Sequence, residues 1–444
     1  MFKKVISAVL AITMVMGMCS CTDTASSQSP SSNHSSSHSE VGPSVLDKSI
    51  IQPTANYQFS PESLEQYDEK FISGVNGFSA QLFKNTVKQD LSQGKNTLVS
   101  PESVLFALGM TANGANGETL EQMRNVLCKN VDMQTFNKNM NKLIAEASSS
   151  ADFKFSIANS VWVKNKDGIT LSDQFSKTCK ESYNAELFFA PFDDNTAKSM
   201  NSWVNEKTDK MIPDIIGKLD ADTMAVLLNC IAFDAKWQKE YQTQDVKENA
   251  KFTNSNGEEV TCAMMHSTEK KYISDKDSTG FIKPYLGGKY AFMAILPNED
   301  IRLSDYVESL TAEKFTALYN SASSNSKVIA SMPKFTYDYN AKLNEPLINM
   351  GMSNAFDSAK ADFKGITNDT ELFIGSVLHK THIQLDEQGT KAAAATAVTL
   401  DVKGAISREE FRYVTLDRPY AYAIMDTETG IPVFMGTVCD PTAN

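Results

Sequence analysis

The chain is sparing with the residues that build catalytic and metal centres. Its 444 residues hold 5 histidines and 3 tryptophans. It contains no Gly-x-Ser-x-Gly elbow, His-Glu-x-x-His pair, Walker phosphate loop or Gly-x-Gly-x-x-Gly turn leading into a helix. The common hydrolase, zinc-protease, nucleotide-hydrolase and dinucleotide-binding signatures are thereby missing. His34 and His38 lie in a serine-rich stretch, while His379 and His382 stand three apart in a segment that alternates as a strand does. That offset sets them on opposite faces of a strand, so they cannot share a metal. Cysteine is equally scarce, with seven in all at 19, 21, 128, 179, 230, 262 and 439 and no Cys-x-x-Cys pair. The five beyond the N-terminal pair are odd in number and scattered, which reads as buried thiols rather than a disulfide framework. Positive charge is outnumbered, 42 Lys and Arg to 54 Asp and Glu, for a net charge of -12. This disfavours nucleic acid and anionic surfaces as general partners. No strongly basic stripe for polyanions is visible and no cofactor is implied.

One apolar run stands out, from Val5 to about Met18, behind Lys3 and Lys4. It is short for a comfortable transmembrane helix and fits a secretory signal, here residues 1–20. The "MCSC" that follows resembles a bacterial lipoprotein box with Cys21 as the lipidated residue, although Met18 and Cys19 replace commoner choices; simple signal cleavage is the alternative. Residues 21–60 begin with a Ser-, Thr-, His- and Gln-rich tract that cannot bury enough apolar area to order itself, and they read as a tether. About 40 such residues reach roughly 35 Å. The expected location is extracytoplasmic, secreted or lipid-anchored at the cell surface, with any membrane contact made through the anchor alone.

Residues 61–444 show no internal repeat and no second linker, which predicts one large domain. In "VNGFSAQLFKNTVKQDL", Phe78, Leu82, Phe83, Val87 and Leu91 share one helical face. "SPESVLFALGMTANGA" opens on Ser100 and Pro101 as cap and first-turn pair and is expected to stop at Gly114 and Gly117. Strand-like runs follow: "FSIANSVWV", "AVLLNCIAF", "YAFMAILP", "VIASMPKFTYDY", "FIGSVLHKTHIQLD", and a last pair, "YAYAIMD" and "IPVFMGTV", turned by Gly430. Early helices and late strands predict an α+β fold with large, mainly antiparallel sheets.

The segment "EQGTKAAAATAVTLDVKGAISRE" (residues 387–409) combines two characters. Four consecutive alanines favour helix, whereas the flanks favour strand. Taken as a strand, residues 390–402 separate into a small-then-apolar face and a face with charges at both ends. With no proline and mostly small side chains in its leading half, it could enter an existing sheet with an unbroken ladder. Its continuation is polar and carries cleavable basic residues, as an exposed loop does.

From about Glu62 to Pro441 the chain resembles the serpins. The resemblance rests on "NTLVSPESVLFALGMTANGANGETLEQM", "NSWVNEKTDKMIPDII" followed by "DTMAVLLNCIAFDAKW", "MPKFTYDYNAKLNEPLINMGMSNAFDSAKADFKGI", "VLHKTHIQLDEQGTKAAAATAV" and "RPYAYAIMDTETGIPVFMGTVCDP", in that order. It implies three β-sheets, eight or nine helices, an exposed reactive-centre loop in a metastable native state, and a monomer. It further implies an inhibitor rather than an enzyme, a suicide substrate whose acylated loop inserts into the large sheet and distorts a serine protease. Some ten to fifteen new ladder bonds at about 1 kcal/mol each would contribute roughly 10–15 kcal/mol, comparable to the whole stability of a domain. The alternative within the family is a non-inhibitory binding or carrier protein.

Residue by residue, the resemblance makes Glu387 the start of the hinge and Gly389 and Thr390 its turning point. Ala392, Ala393, Ala394 and Ala395 form its small-residue run, in which Gln388 and Lys391 depart from commoner acidic choices. Ser100, Pro101, Asn229 and His379 match the polar shutter beneath the sheet. Trp237 matches the tryptophan at its top, and Lys334 the lysine that pairs with Glu387. Two registers for the bait bond stay open. The family's hinge length places it at Lys403-Gly404, implying a trypsin-like target, while counting back from Arg418-Pro419 gives Arg408-Glu409. Val402 or Ala405 would suit elastase-like enzymes.

Overall fold

The structure, a computed structural model, describes residues 8–15, 47–52, 57–147, 152–165, 169–208, 210, 212, 214–219, 223–323, 326–390 and 410–443. Three sheets carry it. The large sheet has the order β12 (Phe335–Lys342), β13 (Ser376–Leu385), β1 (Ala8–Val15), β5 (Ala225–Lys236), β3 (Phe153–Lys164) and β4 (Ala185–Ala190), with the short β14 (Gly389–Thr390) also on β5. The second is β2 (Thr97–Val99), β17 (Pro432–Val438), β16 (Tyr420–Asp426), β10 (Tyr290–Pro297), β9 (Ser278–Pro284) and β8 (Lys271–Ser274). The third is β15 (Glu410–Thr415), β11 (Ser326–Pro333), β7 (Glu259–Glu269) and β6 (Val246–Thr253). Among the described strands, only β3 with β4 and β11 with β15 pair in parallel, so the sheets are mainly antiparallel, as expected.

Ten α-helical segments occur among the described residues, against an expected eight or nine; three of them have six residues or fewer. Helix α1 (Glu69–Ser92) buries Phe78, Leu82, Phe83, Val87 and Leu91, the stripe read from spacing. Helix α2 (Pro101–Ala112) is buried on every side beneath the large sheet, which is why its sequence is apolar all round. It stops at Ala112, ahead of Gly114, but Gly117 is the first residue of α3 (Gly117–Cys128) rather than part of the stop. A Cβ on Gly114 would lie 2.1 Å from the Ile366 side chain, so close packing accounts for that glycine. The later pair β16 and β17 forms the expected hairpin, with Gly430 at φ +67°.

Strand patterns follow burial. β13 alternates strictly, with Val377, His379, Thr381, Ile383 and Leu385 inward, whereas β5 is buried on both faces through Phe233. A separate cluster under α6 (Asp194–Lys207) gathers Trp162, Phe188, Trp203 and Cys230. Cys128, Cys179, Cys230, Cys262 and Cys439 are free and buried, as the cysteine count suggested.

Two N-terminal pieces join the large sheet. Ala8–Val15, within the stretch read as a signal, forms the strand between β13 and β5, antiparallel to both. Within the stretch read as a tether, Ile51 makes two backbone bonds to Phe189 at the free edge of β4, at 2.9 and 2.8 Å, and Ile50 packs on the cluster under α6.

Candidate functional site

The hinge begins where β13 ends. Asp386 N–H donates to the Gly389 carbonyl at 3.1 Å, closing a hairpin that lays Gly389 opposite Lys236 and Thr390 opposite Ala235 of β5. Gly389 has φ +152°, and a Cβ there would sit 2.2 Å from the Ala235 carbonyl oxygen; only glycine fits. Thr390 is fully buried, with its hydroxyl 2.7 Å from that of Tyr285. The first two residues of the loop are therefore already part of the sheet.

Trp237 holds this turn from below. Its indole N–H donates to the Asp386 carbonyl at 3.0 Å, its backbone N–H to that of Gln388 at 2.9 Å, and its ring stacks on Tyr285 at 4.5 Å. Beside it, the Tyr241 N–H donates to the Glu387 carbonyl at 2.9 Å. Lys334 Nζ meets Glu387 Oε1 at 2.8 Å, the pair expected from sequence, with each side chain about a third exposed. Burial works against the Glu387 carboxylate, but the Lys334 hydrogen bond, a backbone contact and the Lys334 charge together hold its pKa below the usual carboxylate value. A lysine the sequence did not single out, Lys283, lies deeper. It bonds Glu269 at 2.9 Å with both side chains almost fully buried, and its ammonium lies over the Tyr241 and Trp237 rings at 4.4 and 5.3 Å. Burial lowers the Lys283 pKa, opposed by the Glu269 charge.

Beneath the middle of the sheet a polar chain crosses the core. The Ser100 hydroxyl caps α2 by accepting from Ser103 N–H at 3.3 Å, and Pro101 occupies the first turn. The Ser100 backbone N–H donates to His379 Nε2 at 3.1 Å, which fixes the imidazole as an acceptor at that nitrogen. The His379 ring is fully buried, and desolvation alone pushes its pKa down to about 3. Ser103 donates its hydroxyl proton to Asn229 Oδ1. Asn229 Nδ2 then donates to Asn159 Oδ1 at 2.8 Å, and Asn159 Nδ2 to the Tyr183 carbonyl at 2.7 Å. The chain thus stitches α2, β13, β5, β3 and the end of α5 (Asp173–Tyr183) together. His382, on the other face of β13, bonds Asp338 instead.

Of the residues named from sequence, Ser100, Pro101, Asn229 and His379 meet under the sheet, and Trp237, Lys334, Glu387, Gly389 and Thr390 meet at its top. Ala392, Ala393, Ala394, Ala395, both candidate bait bonds (Lys403-Gly404 and Arg408-Glu409), Val402, Ala405 and Cys21 lie outside the described residues. Asn159, Ser103, Tyr285 and the Lys283–Glu269 pair were missed. The signal for Asn159 was available, because "FSIANSVWV" and "AVLLNCIAF" each set one asparagine in an apolar strand, where a buried amide needs a partner.

The comparisons agree with this geometry. A family model described as "Serpin (serine protease inhibitor)" matches residues 73–441. An uncharacterised serpin-like protein of Thermococcus kodakarensis is 32% identical, over 93% of each chain. Leukocyte elastase inhibitor A of Mus musculus is 29% identical, over 84% of this chain and all of its own length. Among solved structures, tengpin, a thermophilic serpin in its native state, is 38% identical with a TM-score of 0.79, covering 88% of this chain and 99% of its own. A family match over most of the chain, joined to three sheets, a sheet-bonded hinge and a buried polar chain beneath it, leaves one assignment: the chain belongs to the serpin family.

Proposed function

We propose that this serpin inhibits serine proteases as a suicide substrate. Its family is described by that activity. The observation that carries the reading is the register at the hinge. Continued from Gly389↔Lys236 and Thr390↔Ala235, it sets Ala392 opposite Phe233 and Thr399 opposite Val226, feeding the small-residue run between β5 and β13. Ala8–Val15 lies in that gap, antiparallel to both neighbours, which supports the reading that the sheet has room for one added strand there.

In this reading a protease serine attacks the carbonyl of the bait residue, the amine of the next residue leaves with a proton, and the acylated loop zips into the gap before water completes hydrolysis. Lys403-Gly404 is favoured over Arg408-Glu409 because β15 pairs with β11 from Glu410 onward. A cut at Arg408 would need Glu409, Glu410 and Phe411 extended in the protease cleft, and two of these are bonded into the third sheet. A cut at Lys403 leaves residues 404–409, six in number, between the bond and that strand. The protein acts outside the cytoplasm, exported through residues 1–20 and tethered, where Cys21 is lipidated, by its serine-rich tract.

The test is to mix the chain from Cys21 onward, the form left when residues 1–20 are removed on export, with trypsin and, separately, an elastase, run a denaturing gel and measure the mass of the C-terminal fragment. A covalent band with a fragment starting at Gly404 is expected, together with loss of trypsin inhibition in Lys403→Ala. Clean cleavage without a covalent band across a wider protease panel would overturn the inhibitory reading in favour of a carrier role. A fragment starting at Glu409 would move the bait bond.

A further inference from the structure

The strand β1 does more than fill space: it takes the loop's own address. On the β5 side, Ala8 lies opposite Phe233 and Val15 opposite Val226, the partners that the continued hinge register gives to Ala392 and Thr399. On the β13 side, the Asp386–Gly389 hairpin, if continued, would set Ala393 opposite His382 and Thr399 opposite Ser376. Val9 and Val15 hold those two positions. Both neighbours therefore give the same correspondence, residue 8 for residue 392 through residue 15 for residue 399, in the same chain direction.

We infer that Ala8–Val15 and the reactive loop compete for a single slot, so that the chain retaining its N-terminal segment in the sheet is a substrate of the protease rather than its inhibitor, and loss of the segment arms it. The inference rests on the insertion reading above. Strands in a sheet lie about 4.8 Å apart, and with β1 bonded on both sides no ladder positions remain on β5 or β13 over residues 226–233 and 376–382. The loop can then zip no further than Thr390, and a protease that has cut it is released by hydrolysis. The eight residues "AVLAITMV" include no proline, glycine or charge, so nothing in them interrupts a central ladder. Reach is not limiting. Ile51, bonded outside β4, lies four strand spacings, roughly 20 Å, from the slot, and the 35 residues after Val15, through Ile50, span far more than that.

Two arms test this. In the first, the full chain, a full chain carrying Thr13→Pro, and a chain beginning at Cys21, which keeps every residue of the family match, are each titrated with trypsin. The expected result is cleavage with little covalent complex for the full chain. The other two should show a stoichiometry of inhibition near one and at least a tenfold gain in complex yield, because proline removes a ladder donor from a strand bonded on both sides. In the second, Ala11→Cys is made in the full chain and oxidised. Ala11 is the register partner of Cys230, at a separation within disulfide reach, so peptide mapping should find the 11–230 link. Equal covalent yield from all three chains overturns the competition while leaving the inhibitory function standing. No complex from any of them overturns the function, and absence of the 11–230 link then overturns the strand's occupation of the slot as well.

Discussion

At the residue scale, the hinge is held by contacts that tolerate little. Thr390 is buried against Tyr285 and follows Gly389, whose positive φ and close approach to the Ala235 carbonyl admit only glycine. Thr390→Arg would bring an unpaired charge into that contact. In the chain from Cys21 onward it should convert the proposed inhibitor into a substrate, seen as a stoichiometry of inhibition many times that of the same chain without the substitution; an unchanged stoichiometry would remove the insertion reading. His379 makes a pH prediction. Its folded pKa is depressed to about 3 from an unfolded value near 6.5, so between those values the unfolded chain binds a proton that the folded chain refuses. Stability from this group is intact above pH 6.5 and is lost as pH falls, at up to about 1.4 kcal/mol per pH unit. Unfolding free energies from denaturant titrations at pH 7.5 and 5 should differ by about 2 kcal/mol from this residue, and His379→Gln should shrink that difference. Glu387 adds a smaller term of the same sign in a lower window. Its contribution is present above the usual carboxylate value and disappears as pH falls through its lowered folded value. At about a third exposed, its pair with Lys334 is worth under about 1 kcal/mol. Glu387, Gly389, Lys334 and Trp237 were legible because the family resemblance attaches to short local runs. Lys283 and Tyr285 were not, since a lysine and a tyrosine in "FIKPY" look like surface residues until Glu269 and Thr390 are brought to them from elsewhere in the chain.

Elements are tied together by the asparagine pair. Asn229 on β5 and Asn159 on β3 exchange a hydrogen bond inside the ladder's core and reach α2 and α5 at either end. Asn229→Ala removes one partner from each of two buried groups. The expected cost is about 2–3 kcal/mol in equilibrium unfolding, and a double-mutant cycle with Asn159→Ala should show coupling; additive effects would break the chain into separate bonds. Helices and strands themselves were readable where periodicity was clean, as in α1 and β13. The N-terminal strand was not. An apolar run of eight to fourteen residues satisfies a signal core and a buried strand equally, so periodicity alone did not announce the pairing on β5 and β13. The stop at Gly117 failed for a related reason: glycine marks a break in helix, and the break here is the start of α3 as much as the end of α2.

For the whole molecule, loop insertion as proposed would add a full central strand. If the bait bond is cut in a chain whose slot is open, the gain of roughly 10 kcal/mol or more should raise the thermal midpoint by on the order of 20 °C. Calorimetry before and after limited proteolysis would measure it, and an unchanged midpoint would mean the cut loop stays outside. The order of the second sheet carries a further consequence. Everything after the bait region runs through β15 and then into β16 and β17, which are inner strands flanked by β2 and β10. A molecule cut in the loop is therefore two covalent pieces and one fold. Its C-terminal piece stays locked in place like a keystone, and a nicked molecule keeps the mass of an intact one until it is denatured. Such a cut would change the chain's connectivity while leaving its inventory of atoms almost untouched.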